Sequence, residues 1–219
     1  MDWELVWDSL GPIATYAAIG TVPLALASFA IGLVLALAVA LMRLSRVRAV
    51  SALGRAYVSV IRGTPLLVQL YIVFYGLGSI GIKIDPWPSA ILAFSLNVGG
   101  YAAEVIRAAI LSVPKGQWEA AHMIGMGRRR ALQRIILPQA ARVSVPPLSN
   151  TFISLVKDTS LASLILVTEL FRQAQQVAAF SQEFMLLYLE AAVIYWIVCL
   201  FLAGGQSLLE KRLDRYVAH

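Results

Sequence analysis

The chain has 219 residues, 59% of them hydrophobic and only 14% charged, with a mean hydropathy of +0.76. Soluble domains carry about a quarter charged residues, so this composition excludes an ordinary soluble protein and points to the membrane. The formal net charge of +6 then asks which side of a bilayer holds the cations, rather than which nucleic acid is bound.

At the start, Asp2, Glu4 and Asp8 are acidic where a cleavable signal peptide would be basic, and no such signal is expected. From Gly11 to Met42 no residue is charged, more than the roughly 20 residues that cross about 30 Å of hydrocarbon. This first span ends at Arg43, Arg46 and Arg48, a cluster expected in the cytoplasm, which places the acidic N-terminus outside. A second span begins near Ser51, with Arg55 and Arg62 at its cytoplasmic end, an uncharged stretch from Gly63 to Ile82 containing Gln69, and Pro65 bending it. Gly81, Lys83, Asp85, Pro86 and Pro88 form an outer turn.

The third span, about Trp87 to Leu111, contains Asn97, Gly99, Gly100, Glu104 and Arg107. Polar groups inside a span are costly, so they are expected to face protein or water. The stretch from Trp118 to Pro138 is neither apolar enough to span nor loose enough to be a linker. It reads as two short helices: Lys115 to Ile124 after Pro114, then a turn at Gly125 and Gly127 into Arg128, Arg129 and Arg130. With Arg107, Lys115, Arg134 and Arg142 around it, this exposed knob belongs in the cytoplasm.

A fourth span starts near Val145, is interrupted at Lys157-Asp158-Thr159-Ser160 and continues to Val167. Glu169 to Glu183, rich in glutamine, reads as a short helix on the outer surface. The fifth span runs from about Phe184 to Leu208, contains the single cysteine, Cys199, and ends at Lys211, Arg212 and Arg215. One cysteine excludes an intrachain disulfide. The sum is an all-α helical bundle in one domain, residues 1–219, with five transmembrane helices, the N-terminus outside and the C-terminus cytoplasmic.

No Gly-x4-Gly-Lys-Ser/Thr loop is present, so nucleotide hydrolysis is not expected in this chain. His122 and His219 have no cysteine or acidic neighbour at ligand spacing, which argues against a metal site and against a hydrolytic triad. The arginine run on a helix pair suits a DNA-reading helix-turn-helix in type, but spans tether it closely on both sides and leave no reach into a groove. What remains is polar chemistry inside the spans. Glu104 and Arg107 share a helix face, either as an ion pair or as part of a cavity wall. Lys157 to Ser160 is either an outer loop or a broken helix whose freed backbone and Asp158 meet a polar solute. Arg62, Gly63, Thr64 and Pro65 are either a plain helix start or a gate that flexes.

Glu119-Ala120-Ala121, then Gly125 after three intervening residues, then Ile135-Ile136-Leu137-Pro138, resembles the EAA loop of ABC-importer permeases. The blocks Arg62 to Leu66, Ala103-Glu104 with Arg107, Gly116 to Ala121 and Lys157 to Leu161 resemble those of the polar-amino-acid branch, which includes histidine, glutamine, arginine and cystine permeases. Leu41 to Ser45 and Leu170 to Gln175 look most like L-cystine permeases. The resemblance implies a type I importer permease in a bacterial cell membrane. It also implies a second permease subunit, identical or paralogous, two cytoplasmic ATPases that carry the ATP and magnesium, and an extracytoplasmic binding protein. Residues 114–138 would be the coupling loop. Glu119 would pair with a basic group on the ATPase, Ala120 and Ala121 would allow close packing, and Gly125 would make the turn. Asn97, Glu104, Asp158, Thr159 and Ser160 are the expected polar groups of the substrate path. The rival readings are an ion-driven carrier or channel using Glu104, Arg107 and Asp158 without an ATPase, and a scaffold that only recruits a partner.

Overall fold

The computed structural model describes residues 3–214, which are helical with no strand among them. Asp2, Arg215 and His219 lie outside the described residues.

Helices α1 (Trp3–Tyr16) and α2 (Val22–Arg43) are joined end to end by a π-helical turn, Ala17–Thr21. The resulting rod, Glu4–Arg43, has 40 residues, or about 60 Å at the α-helical rise. That is about twice the hydrocarbon thickness and much longer than the Gly11–Met42 span expected from charge alone. The π turn lies just before Pro23, and the Val22 N–H reaches back to Ala17 O. Proline cannot donate to the preceding turn and crowds its carbonyl, and a one-residue bulge accommodates both defects without breaking the helix.

Helix α3 (Arg48–Gly63) and helix α4 (Leu66–Ser79) meet at 106°. Thr64 is extended at φ −122°, ψ 145° because it precedes Pro65, whose own φ of −64° and ψ of 139° caps α4. The bend expected at Pro65 is therefore a full break, and the uncharged stretch from Gly63 to Ile82 is not one continuous span. After a turn with Gly81 at φ +90°, α5 runs Pro86–Ser112, with Asp85 at its N-cap and Pro86 in its first turn.

Helix α5 is the central element, packed against α2, α3 and α4. Its contact with α2 is the most extensive in the fold. Glycine makes this possible. A Cβ on Gly32 would lie 2.6 Å from Val98 Cβ, one on Gly99 2.7 Å from a Leu35 methyl, and one on Gly100 2.5 Å from Ile61 Cγ2. Small residues at such contacts let helix backbones approach where the solvent is as apolar as the side chains. Phe94, fully buried, fills the middle of this core.

Helix α6 (Lys115–Met123) follows α5 after a two-residue bend, and α7 (Arg128–Ile165) leads back among the spans. Pro138 does not end a short second helix as expected: a further π turn, Leu132–Ile136, stands just before it and α7 continues through Pro146 and Pro147. Lys157 to Ser160 interrupts the α-helix, but with no loop. The α-helix ends at Asp158 and tightens into a 3-10 helix, Thr159–Ile165, which closes at Leu166 with φ 66°. Helix α8 (Leu170–Ser181) departs at 48° and packs on α1 and on the last helix, α9 (Phe184–Asp214). Among the described residues, three helices are long and apolar enough to cross a membrane, or up to five if each bent pair counts as one span.

Candidate functional site

A polar pocket of about 420 Å³ opens between the Thr64–Pro65 break, the middle of α5 and the second half of α7. Thr64, Pro65, Asn97 and Asp158, separated by up to 94 positions in the chain, all line it, together with Tyr101, Asn150, Thr151 and Ser154. Asn150, Ser154 and Asp158 recur every fourth residue on α7, and Asn97, Tyr101 and Glu104 recur at four and three on α5. Each set is a polar stripe on one face of an otherwise apolar helix. That periodicity was the available signal for Tyr101, Asn150, Thr151 and Ser154, which inspection residue by residue passes over.

Gln69 lies behind the pocket and holds two of its lining residues, Thr64 and Asn97. It is buried, and its Nε2 donates to Ile61 O at 2.7 Å, to Thr64 Oγ1 at 2.9 Å and to Thr64 O at 3.2 Å. Two of these are carbonyls whose helical partners the break removed. Its Oε1 accepts from Asn97 Nδ2 at 3.0 Å, which orients the Asn97 amide. Arg62 stays exposed and stacks its guanidinium over the Tyr101 ring at 5.4 Å from the centroid; Gly63 ends α3 with open space around it.

The other expected path residues lie elsewhere. Glu104 is half-buried and carries two ion pairs, with Arg107 on its own helix and with Arg43 at the end of α2. Arg43 was not foreseen, because nothing local links the two. Thr159 is fully buried and donates to Val156 O at 2.7 Å. Ser160 donates to Lys157 O and lines a separate cavity against α9.

Below the Glu104 cluster, α6 presents Glu119 and Ala120 to the outside while Ala121 is fully buried. Trp118 packs on the apolar cluster of Ile110, Val113, Ile136 and Ala140, so α6 is seated on the ends of α5 and α7. The helix ends in a Schellman motif: Met126 N donates to Ala121 O at 2.9 Å and Gly125 N to His122 O at 3.0 Å, with Gly125 at φ +77°. Gly127, at φ −66°, needs no glycine freedom.

A further carboxylate escaped the sequence. Glu169 is not on an outer polar surface but is fully buried. It accepts from Phe171 N at 3.0 Å, Arg172 N at 2.8 Å, Tyr195 Oη at 2.7 Å and Thr21 Oγ1 at 3.3 Å. It thus caps α8 and ties the π turn of the first rod to α9. Nearby, Ser9 of α1 donates to Glu190 of α9 at 2.7 Å.

A helical membrane unit with a polar pocket between its helices and a short helix seated at their ends has the parts of a transport subunit. Residues 9–215 match the family described as the binding-protein-dependent transport system inner membrane component, and the chain belongs to that family. It is 58% identical to the L-cystine transport system permease protein TcyB of Bacillus subtilis, over 99% of this chain and 93% of that protein. It is 37% identical to the L-cystine transport system permease protein TcyL of the same organism, over 98% and 92%. Among solved structures, a crystal structure of an amino acid ABC transporter with histidines superposes at a TM-score of 0.86, with 35% identity over 92% of this chain and 94% of that one.

Proposed function

We propose that this chain is the permease subunit of an ATP-driven importer of polar amino acids, with L-cystine as the solute. The observation that carries the reading is the pocket of Asn97 and Asp158, which sits on the same helix, α5, whose far end holds the seated helix α6. The 58% identity to a cystine permease supports the solute. In this reading Asp158 meets the substrate ammonium, and Asn97, held by Gln69, meets its carboxylate or amide edge. Tyr101, Asn150 and Ser154 complete the wall. Glu104, with its two arginine partners, pins the end of α2 to α5 rather than touching solute, and Thr159 and Ser160 shape the helix turn behind Asp158. Arg62 to Pro65, at the break, form the gate.

The arginines at the ends of α2, α5 and α7 face the cytoplasm, the N-terminus lies outside, and each bent pair counts as one of five spans. Residues 114–138 dock on a separate ATPase, which binds and hydrolyses ATP with magnesium, through Glu119 and Ala120; Ala121 and Gly125 hold the docking helix in place. A second permease subunit and an extracytoplasmic binding protein complete the importer in a bacterial cell membrane. The chain acts as one permease domain and carries no catalytic residue of its own.

The test is uptake by vesicles holding the full importer, with cystine, arginine, histidine and glutamine in competition. Preferential inhibition by cystine is expected, and indifference to cystine with a clear preference for another amino acid would replace the solute. Glu119→Ala removes one partner of an interfacial charge pair, a loss of roughly 2–5 kcal/mol. Uptake and stimulated ATP hydrolysis should both fall while membrane insertion stays normal. Accumulation of solute by the chain alone, with no ATPase present, would favour the ion-driven carrier instead.

A further inference from the structure

The cavity under α6 is a different kind of site from the solute pocket. It holds about 500 Å³, within the range of small-molecule sites, and lies where the ends of α2 and α5 meet the start of α6 and of α7. Its inner wall is apolar, from Leu41, Leu44, Ile110 and Leu132. Its rim is polar and cationic, from Ser45, Trp118, Lys115 and Arg128. Lys115 and Arg128 are exposed, and neither has a carboxylate within 4 Å among the described residues.

Both cations also stand at the first position of their helices, α6 and α7. There the positive ends of the helix dipoles add to the side-chain charge instead of offsetting it. The site is therefore an uncompensated positive rim above an apolar slot, at the level where two apolar spans end. A free phosphate or nucleotide matches the rim but leaves the slot wet. A neutral lipid fills the slot but leaves the cations unpaired. The molecule that satisfies both is one with a phosphate on a hydrocarbon body and no cation of its own in the headgroup.

We propose that this cavity binds an anionic phospholipid, its phosphate between Lys115 and Arg128 and its acyl chains along Leu41, Leu44, Ile110 and Leu132. Trp118 lines the same cavity and would set its indole against the headgroup region. The consequence is mechanical, and here the proposal builds on the coupling-loop reading above. The lipid occupies the hinge between α5 and α6, and a bound headgroup fixes the angle at which α6 leaves the membrane.

The full-length chain, purified with mixed phosphatidylglycerol and phosphatidylcholine and without its ATPase, should retain phosphatidylglycerol preferentially by native mass spectrometry. Each basic residue near an anionic surface contributes about a fivefold gain, so Lys115→Gln with Arg128→Gln should weaken retention roughly 25-fold. Lys211→Gln with Arg212→Gln, remote from the cavity, should retain the lipid. Wild-type retention in the first variant, or displacement of the lipid by inorganic phosphate alone, would overturn the assignment.

In vesicles with the ATPase and binding protein, the first variant should transport poorly relative to wild type only when phosphatidylglycerol is present. An equal deficit in pure phosphatidylcholine would assign the two cations to the ATPase contact and overturn the lipid role. Glu119→Ala should retain the lipid, so that failure of the docking reading is seen in uptake and failure of the lipid reading in retention.

Discussion

The two helix breaks, between α3 and α4 and between α7 and α8, use the same device to opposite ends. Each break frees backbone groups that would be unpaired among apolar helices, and each recruits one buried polar side chain to satisfy them. At the first, Gln69 donates to two carbonyls and leaves its own oxygen to hold Asn97, whose other edge faces the open pocket. At the second, Glu169 accepts from two backbone N–H groups and from the Thr21 and Tyr195 hydroxyls, all of them donors of the surrounding helices. An amide has donors and an acceptor and can pass a polar connection onward; a carboxylate only accepts and, surrounded by donors, ends the chain. The first break is built into a site, the second into a joint.

Glu169→Ala should have the largest effect. It strands two N–H groups and the Tyr195 hydroxyl in the interior, a destabilisation of about 4 kcal/mol that should appear as loss of folded protein in detergent melting and in membrane yield. Normal melting would mean that the joint is not closed. Gln69→Leu should cost about 2–3 kcal/mol, less because Thr64 and Asn97 line the open pocket and can turn to water, but should also lower uptake, because Asn97 loses its orienting partner. Uptake equal to wild type in the folded Gln69→Leu protein would separate the break from the site. Leu166→Gly probes the second break from outside. Leu166 is 60% exposed and has φ 66°, where a side chain costs about 1–2 kcal/mol and glycine costs none. A small gain of about 1 kcal/mol in thermal stability, with uptake unchanged, is expected.

The contrast also shows what could be read in advance. Helix α5 was legible to within a residue at each end, because Asp85 and Pro86 at its start and Pro114 just beyond its end are local boundary signals. The Gly125 turn was legible for the same reason, since a Schellman ending is written in adjacent residues. Pro65 announced a bend but not a break of 106°, where Gln69 reaches back to Ile61. The burial of Glu169 was hidden because Thr21 and Tyr195 lie far away in the chain. Glutamine-rich neighbours made the segment look like surface. Asp158 and Asn97 were singled out one by one, whereas the stripe joining Asp158 to Asn150 and Ser154 emerges only from helical phase.

The π turn at Ala17–Thr21 affects phase in another way. The buried positions Ser9, Ile13, Ala17, Thr21, Ala25 and Ser28 form one unbroken inner face. About five ordinary α-turns fall one residue short of the separation between Ser9 and Ser28, so in a plain helix their directions would differ by about 100°. The bulge stores that one residue and lets the first half of the rod, paired with Glu190, and the second half, paired with Ser95, look the same way. The rod therefore tolerates subtraction better than addition. Removing the exposed Ile19 would consume the slack and leave a regular helix with both faces aligned, whereas inserting a residue there would rotate Ser9 and Ile13 away from α8 and α9.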